Sequence, residues 1–206
     1  MAEMLADDDS TARHLNTVRR HQRRCKKTKG AAEFGTGIES ARSTLDKAAE
    51  ATRAAAEAEE DARDDIELAD GNLDDEVVTV NARAEEYDRD HPGERVRESL
   101  FPTGRTTDVT EAPVAVGVTE ATRIAEALKK LGPKHALAAL VKPLEVKIAG
   151  VETAITAEGA SLKKVKLAEA DEELAQAAVR RVYEHNYLDS RKKLGRRVAE
   201  RLFPRL

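Results

Sequence analysis

The sequence predicts an all-α protein, a long-helix antiparallel bundle built from two similar, duplicated helical units. Three observations predict it. Of the 206 residues 36% are charged and only 3% aromatic, with no Trp, so a core must come from Ala, Leu, Val and Ile, the composition of long helices rather than of sheets. Apolar residues recur in alternating steps of three and four over dozens of positions, which sets them on one helical face. The segment Arg95-Val96-Arg97-Glu98-Ser99-Leu100-Phe101-Pro102 returns, 102 residues later, as Arg197-Val198-Ala199-Glu200-Arg201-Leu202-Phe203-Pro204, with six of eight positions identical.

The first element is a basic helix from about Ser10 to Lys29, with Leu15, Val18, Gln22 and Cys25 as a weak stripe. Gly30 to Gly37 breaks the pattern. Thr36 followed three residues later by Glu39 has the form of a capping box, and a long helix follows. Its stripe is Ile38, Ala41, Leu45, Ala48, Thr52, Ala55, Glu59, Ala62, Ile66, Ala69, Leu73, Val77, Val80, Ala84 and Tyr87, with Thr52 and Glu59 as polar interruptions. Gly71 followed by Asn72 reads as a turn that would fold this stretch into a hairpin, one continuous helix being the alternative. His91-Pro92-Gly93 ends it, because Pro disfavours helical geometry in the residue before it.

Thr, Pro, Gly and β-branched residues then give a connector without helical period. Thr119 can cap a helix reaching Leu131, Gly132-Pro133 stop and restart the chain, and Pro143 begins or kinks the next segment. A second stripe follows: Leu144, Ile148, Val151, Ile155, Glu158, Leu162, Val165, Ala168, Glu172, Ala175, Val179 and Val182. It closes near Tyr183 and Tyr187 as the first closes at Tyr87. These readings divide the chain into 1–37, a basic helix and turn; 38–102, the first unit; 103–118, the connector; and 119–206, the second unit. Since a long amphipathic helix cannot bury its stripe alone, two such units pack side by side, the repeated Leu-Phe plugging a bundle end.

No stretch approaches the roughly 18 apolar residues of a membrane span, and Met1 to Asp9 is acidic without a signal-like core. With a single cysteine, Cys25, these features predict a cytoplasmic protein without a membrane partner. The net charge of −4 hides a polarised distribution: Arg13 to Lys29 holds eight Lys or Arg and no acid, whereas Glu57 to Glu76 holds eleven acids and one Arg.

No residue set makes a recognisable chemical site, and the sequence predicts no catalytic, cofactor or metal residues. A di-iron bundle needs Glu-x-x-His pairs, and none of His14, His21, His91, His135 and His185 has a Glu three residues before it. His21 and Cys25 share a helical face, but the surrounding cations would repel a metal, and a solvated face explains them better. Those cations would lower the pKa of Cys25, yet no positioned base and orienter accompany it, so it reads as a packing residue. Phe34-Gly35-Thr36-Gly37 resembles part of a phosphate-cradling loop but lacks the Lys, the third Gly and a preceding strand. The acidic run lacks calcium-loop spacing and reads as a solvated face.

The candidate anion contacts are Arg13, Arg19, Arg20, Arg23, Arg24, Lys26, Lys27 and Lys29. If this segment lies along Glu57 to Glu76, the two charge blocks cancel; if free, it neutralises phosphates. The sequence favours the cancelled arrangement. It thus predicts a non-catalytic helical scaffold or interaction protein whose partner is another protein or a second copy, with nucleic-acid binding as the alternative.

Overall fold

A computed structural model describes residues 4–203 of the chain. It is 84% helical, with no strand among the described residues. The elements are α1 (Thr11–Lys27), α2 (Ala32–Gly37), α3 (Glu39–Asp90), α4 (Val96–Leu100), α5 (Thr107–Thr110), α6 (Val114–Lys130), a 3-10 turn (Ala136–Leu140), α7 (Val141–Leu194) and α8 (Arg196–Leu202). Among the described residues no helix is long and apolar enough to cross a membrane.

Two helices of 52 and 54 residues, α3 and α7, dominate. Fourteen of the fifteen predicted stripe positions lie on α3 and Ile38 lies just before it, and all fifteen are buried or half-buried. The stripe of α7 is covered likewise, apart from Ile155 and Leu162, which are 39% and 36% exposed.

The chain forms two compact units that cut across the segment boundaries read from the sequence. Unit 1 is Met1–Glu57 with Leu162–Leu206, and unit 2 is Ala58–Ser161. Each long helix contributes to both. In unit 1 the core joins Val18 and Cys25 of α1, Phe34, Ile38, Leu45, Val179, Tyr183 and the Leu202-Phe203 end. In unit 2 it joins Leu73, Val77 and Val80 of α3, Leu100, Phe101, Ile124 and Leu128 of α6, and Leu144, Ile148 and Val151 of α7. The Nζ of Lys147 donates to Oδ1 of Asn72 at 3.2 Å, and the rings of Tyr87 and His135 meet at 4.5 Å, so α3 and α7 run in opposite directions within this unit. Phe101 and Phe203, predicted to plug bundle ends, are both buried.

Three local readings are corrected. Gly71 is no turn: α3 runs through it, because Ala69 and Leu73 keep the stripe in register, and Asn72 donates to the Leu68 carbonyl at 2.7 Å instead of capping a new helix. Thr36 is no cap: it lies in α2, and its hydroxyl donates to the Ala32 and Glu33 carbonyls, while the Glu39 carboxylate takes Gln22 and Arg42. Thr119 lies inside α6 with its hydroxyl on the Ala115 carbonyl, and the helix starts five residues earlier, after Pro113, whose fixed φ suits a helix entry. Helix thus extends into the predicted connector, which also holds α5. Pro143 sits in the first turn of α7, where its missing N–H costs no helical hydrogen bond.

A cap the sequence did not announce closes α3 onto α4. Arg95 turns the chain in the left-handed region (φ 49°), and the Asp88 carboxylate accepts from the Val96 and Arg97 N–H groups at 2.7 and 2.9 Å.

The continuity of α3 at Gly71 is testable. Nothing lies within 4 Å of the position a Cβ would take there, and the residue is exposed. Gly71→Ala is therefore expected to stabilise the protein by about 0.5–1 kcal/mol, read as a raised melting temperature. A turn at this position would make the same change destabilising.

Candidate functional site

The basic segment is α1, and Ser10 starts it: its hydroxyl accepts from the Arg13 N–H at 3.3 Å. Helical periodicity separates its two faces. His14, Thr17, Val18, His21 and Cys25 are buried, and they differ from the predicted stripe in that Leu15 and Gln22 lie at its edge while two histidines occupy its middle.

This corrects the solvated reading of His21 and Cys25. Both are fully buried, because the His21 ring finds partners inside unit 1. Its Nδ1 lies 3.2 Å from the Leu202 carbonyl and its Nε2 3.4 Å from that of Phe34. Its ring centroid is 4.3 Å from that of Phe203 and 5.4 Å from that of Tyr183. The Cys25 sulfur lies 3.5 Å from His21 Nε2. His14 shares its Nδ1 with the Ser10 carbonyl at 3.0 Å, and its Nε2 lies 3.4 Å from the Arg180 guanidinium.

Burial pushes the Cys25 thiol up to about 11, opposite to the lowering expected from its basic neighbours. A thiol so placed carries almost no thiolate near neutrality and makes a poor nucleophile. Burial likewise holds His21 below its ordinary value, opposed by the two carbonyls and assisted by the charge of Arg24. No group of three metal-ligating side chains occurs among the described residues.

The opposite face carries the predicted anion contacts. Arg13, Arg19, Arg20, Arg23, Lys26, Lys27 and Lys29 are exposed, and Arg24 is half-buried with its guanidinium on the Arg201 carbonyl at 3.0 Å. The segment packs against α2 and α8 within unit 1. Arg13 pairs with Asp9 at 3.0 Å, and Arg19 lies 3.9 Å from Asp46. Both acids lie outside Glu57 to Glu76, the block the sequence matched to this helix.

Residues missed from the sequence lie on α8. The Arg24–Arg201 contact brings this helix beside α1, and Arg196, Arg197 and Arg201 are all exposed. The signal was present as an arginine-rich final segment, but nothing in the sequence told that the two chain ends meet.

Phe34 to Gly37 makes no phosphate cradle. Its carbonyls are the engaged groups: that of Phe34 accepts from Asn186 at 2.7 Å and that of Gly35 from Gln22 at 3.1 Å. A Cβ on Gly35 would sit 3.1 Å from the Cβ of Cys25, so this glycine lets α2 approach α1 closely.

Comparison with protein-family models, with curated proteins and with solved structures finds no match.

The buried imidazole makes unit 1 acid-sensitive in a definite direction. The folded state holds His21 neutral, whereas the unfolded chain binds a proton from about pH 6.5 downward. Stability is unaffected by this group above that pH and falls as the pH drops below it, with a slope of up to about 1.4 kcal/mol per pH unit. Melting curves between neutral and mildly acid pH are expected to show the loss, and His21→Leu to remove that part of the slope.

The Tyr183 hydroxyl is buried without a hydrogen-bond partner among the described residues. Tyr183→Phe is accordingly expected to raise the stability measured in urea by about 1 kcal/mol.

Proposed function

We propose that the chain is a non-catalytic helical interaction protein whose partner is nucleic acid, bound through the phosphate backbone by the basic face of unit 1. The carrying observation is the exposure of six cations of α1, Arg13, Arg19, Arg20, Arg23, Lys26 and Lys27, on the side away from its buried residues, with Lys29 exposed just beyond the helix. The acids that meet this helix, Asp9, Glu39, Asp46 and Glu172, are few beside its cations, and Glu39 also takes Arg42. Arg197 and Arg201 of α8 extend the same surface.

The charge of each unit supports this order of readings. Unit 1 holds 23 Lys and Arg against 16 Asp and Glu, a net +7, and unit 2 holds 12 against 23, a net −11. The overall −4 averages two surfaces of opposite sign, so it does not argue against a polyanionic partner. The raised pKa of Cys25 and the burial of His21 between two backbone carbonyls, to one of which its neutral ring can donate, support a non-catalytic reading of the nearest nucleophile and base. The single buried thiol is compatible with a cytoplasmic setting.

The two halves are read as a duplication, and this sharpens the argument. Each half runs through a 17-residue helix, a short helical turn, a long helix and a short helix ending on Leu-Phe. The buried positions keep register: a shift of 103 residues carries His14, Val18, His21 and Cys25 of α1 onto Gly117, Ala121, Ile124 and Leu128 of α6, all buried. The same shift carries Arg13, Arg19, Arg23, Arg24 and Lys29 to Val116, Thr122, Glu126, Ala127 and Gly132, and carries Arg20, Lys26 and Lys27 to Arg123, Lys129 and Lys130. Similar scaffolding therefore does without five of the eight cations in unit 2, and their addition in unit 1 is attributed to a ligand.

Titration of labelled mixed-sequence duplex at two salt concentrations tests this. Binding is expected to weaken with salt, log affinity falling by roughly 0.9 per phosphate neutralised for each unit of log salt. The triple change Arg20→Glu, Arg23→Glu, Lys27→Glu is expected to lower affinity at least tenfold while leaving the melting temperature nearly unchanged, since no ion pair of these side chains occurs among the described residues. Absence of duplex binding at low salt, or affinity indifferent to the triple change, would overturn the reading.

A further inference from the structure

A groove of about 700 Å³ lies between α3 and α7 in unit 1. Ala48, Ala51 and Ala55 line it on α3, and Leu167, Ala168 and Leu174 on α7. Leu167 and Leu174 are 66% and 69% exposed, although both stand beside small side chains that leave room for a neighbouring helix. Exposed leucines along an alanine-lined groove mark a surface meant to be covered.

The charges along α7 indicate what covers it. From Lys163 to Glu173 all the cations come first and all the acids last: Lys163, Lys164 and Lys166, then Glu169, Asp171, Glu172 and Glu173. The sequence is charge-complementary to itself when reversed about the point between Leu167 and Ala168. On the groove face Lys164 then faces Asp171. Lys164 and Asp171 line the groove themselves, one heptad apart on either side of Leu167 and Ala168. Neither has an ion-pair partner among the described residues. In a two-fold symmetric contact the same patch serves both copies, and each pairing is made twice. Parallel packing of the same helices would instead set like charges side by side.

We propose that this groove is a homodimer interface, in which α7 of one copy packs antiparallel on α7 of a second copy about a two-fold axis beside Leu167 and Ala168. The leucines of each copy enter the alanine-lined groove of the other, and Lys164 of each copy pairs with Asp171 of the other. The basic face of α1 is not part of this surface, so each dimer presents two such faces, and two linked phosphate-binding surfaces gain in apparent affinity through effective concentration.

Sedimentation velocity of the full chain over a wide dilution series provides the test. The expected species is a dimer of about 45 kDa, twice the 22.5 kDa of the chain. Leu167→Glu is expected to give a monomer with unchanged helical circular dichroism and melting of its secondary structure, because the side chain is mostly exposed within one copy. Lys164→Asp and Asp171→Lys each set like charges opposite one another and should each weaken the dimer at least tenfold. An equimolar mixture of these two variants restores both opposite-charge pairings and should dimerise again as a heterodimer. A monomeric wild-type chain at every concentration overturns the proposal, and so does a dimer indifferent to Leu167→Glu or a mixture no tighter than its components.

Discussion

Each long helix buries its stripe against the other long helix and the shorter helices gathered on the pair. Amphipathic helices of this length draw their stability from the face they bury rather than from propensity, and neither half of the chain holds a second long helix. In each compact unit the packing partners of one half are therefore supplied by the other half. The core is well filled where further elements gather: α1, α2 and α8 in unit 1, and α4, α5 and α6 in unit 2. Away from those elements the stripe falls to Ala48, Thr52 and Ala55 on α3, and to the half-exposed Leu162 on α7. Small side chains there let two helices approach, but they leave open the flank on which Leu167 and Leu174 stand.

How much of this was legible in the sequence follows from the same physics. Periodicity is a sum over many residues, so the long stripes survived single flaws such as Glu59, and both Leu-Phe ends proved buried. Single-residue signals fared worse. Gly71 resembled a helix end, but a local glycine penalty of about 1 kcal/mol is small beside the packing of Leu73, Val77 and Val80 further along the same face. Thr36 and Thr119 had the composition of caps and lay inside helices, because a threonine hydroxyl can also bond back to a carbonyl three or four residues earlier. The buried face of α1 was hidden by residue type. Histidine is polar in any hydropathy reading, and only the carbonyls of Leu202 and Phe34, distant in sequence or in another helix, make His21 a core residue.

The two 17-residue helices, α1 and α6, bury faces of different character. Packing at the four corresponding positions is satisfied in unit 2 by Gly117, Ala121, Ile124 and Leu128. In unit 1 three of the four are His14, His21 and Cys25, each bringing a polar atom that burial penalises. His21 is retained only because two backbone carbonyls and three aromatic or sulfur neighbours receive it. The phenol of Tyr183 lies in the same cluster with its hydroxyl unsatisfied among the described residues. Unit 1 thus buries more polar atoms on its 17-residue helix than unit 2 does, and it is also the unit that carries the cationic surface.

These two properties are connected through α1 itself. Arg19 and Arg23, Arg20 and Arg24, and Arg23 and Lys27 each stand four residues apart, where like charges destabilise a helix by a few tenths of a kcal/mol per pair. No acid between Arg13 and Lys29 relieves them. Such a helix does not persist by propensity and must be held from its buried side. The Ser10 cap, the His21 carbonyl contacts, Gln22 on Gly35 and Arg24 on Arg201 do this at successive turns. The buried histidine adds a further condition: protonating it would place one more positive charge beneath the cationic face, next to Arg24, so the neutral ring that burial enforces also limits the repulsion. A polyanion on the outer face would act in the same direction, by screening the like-charge pairs that the interior contacts now oppose.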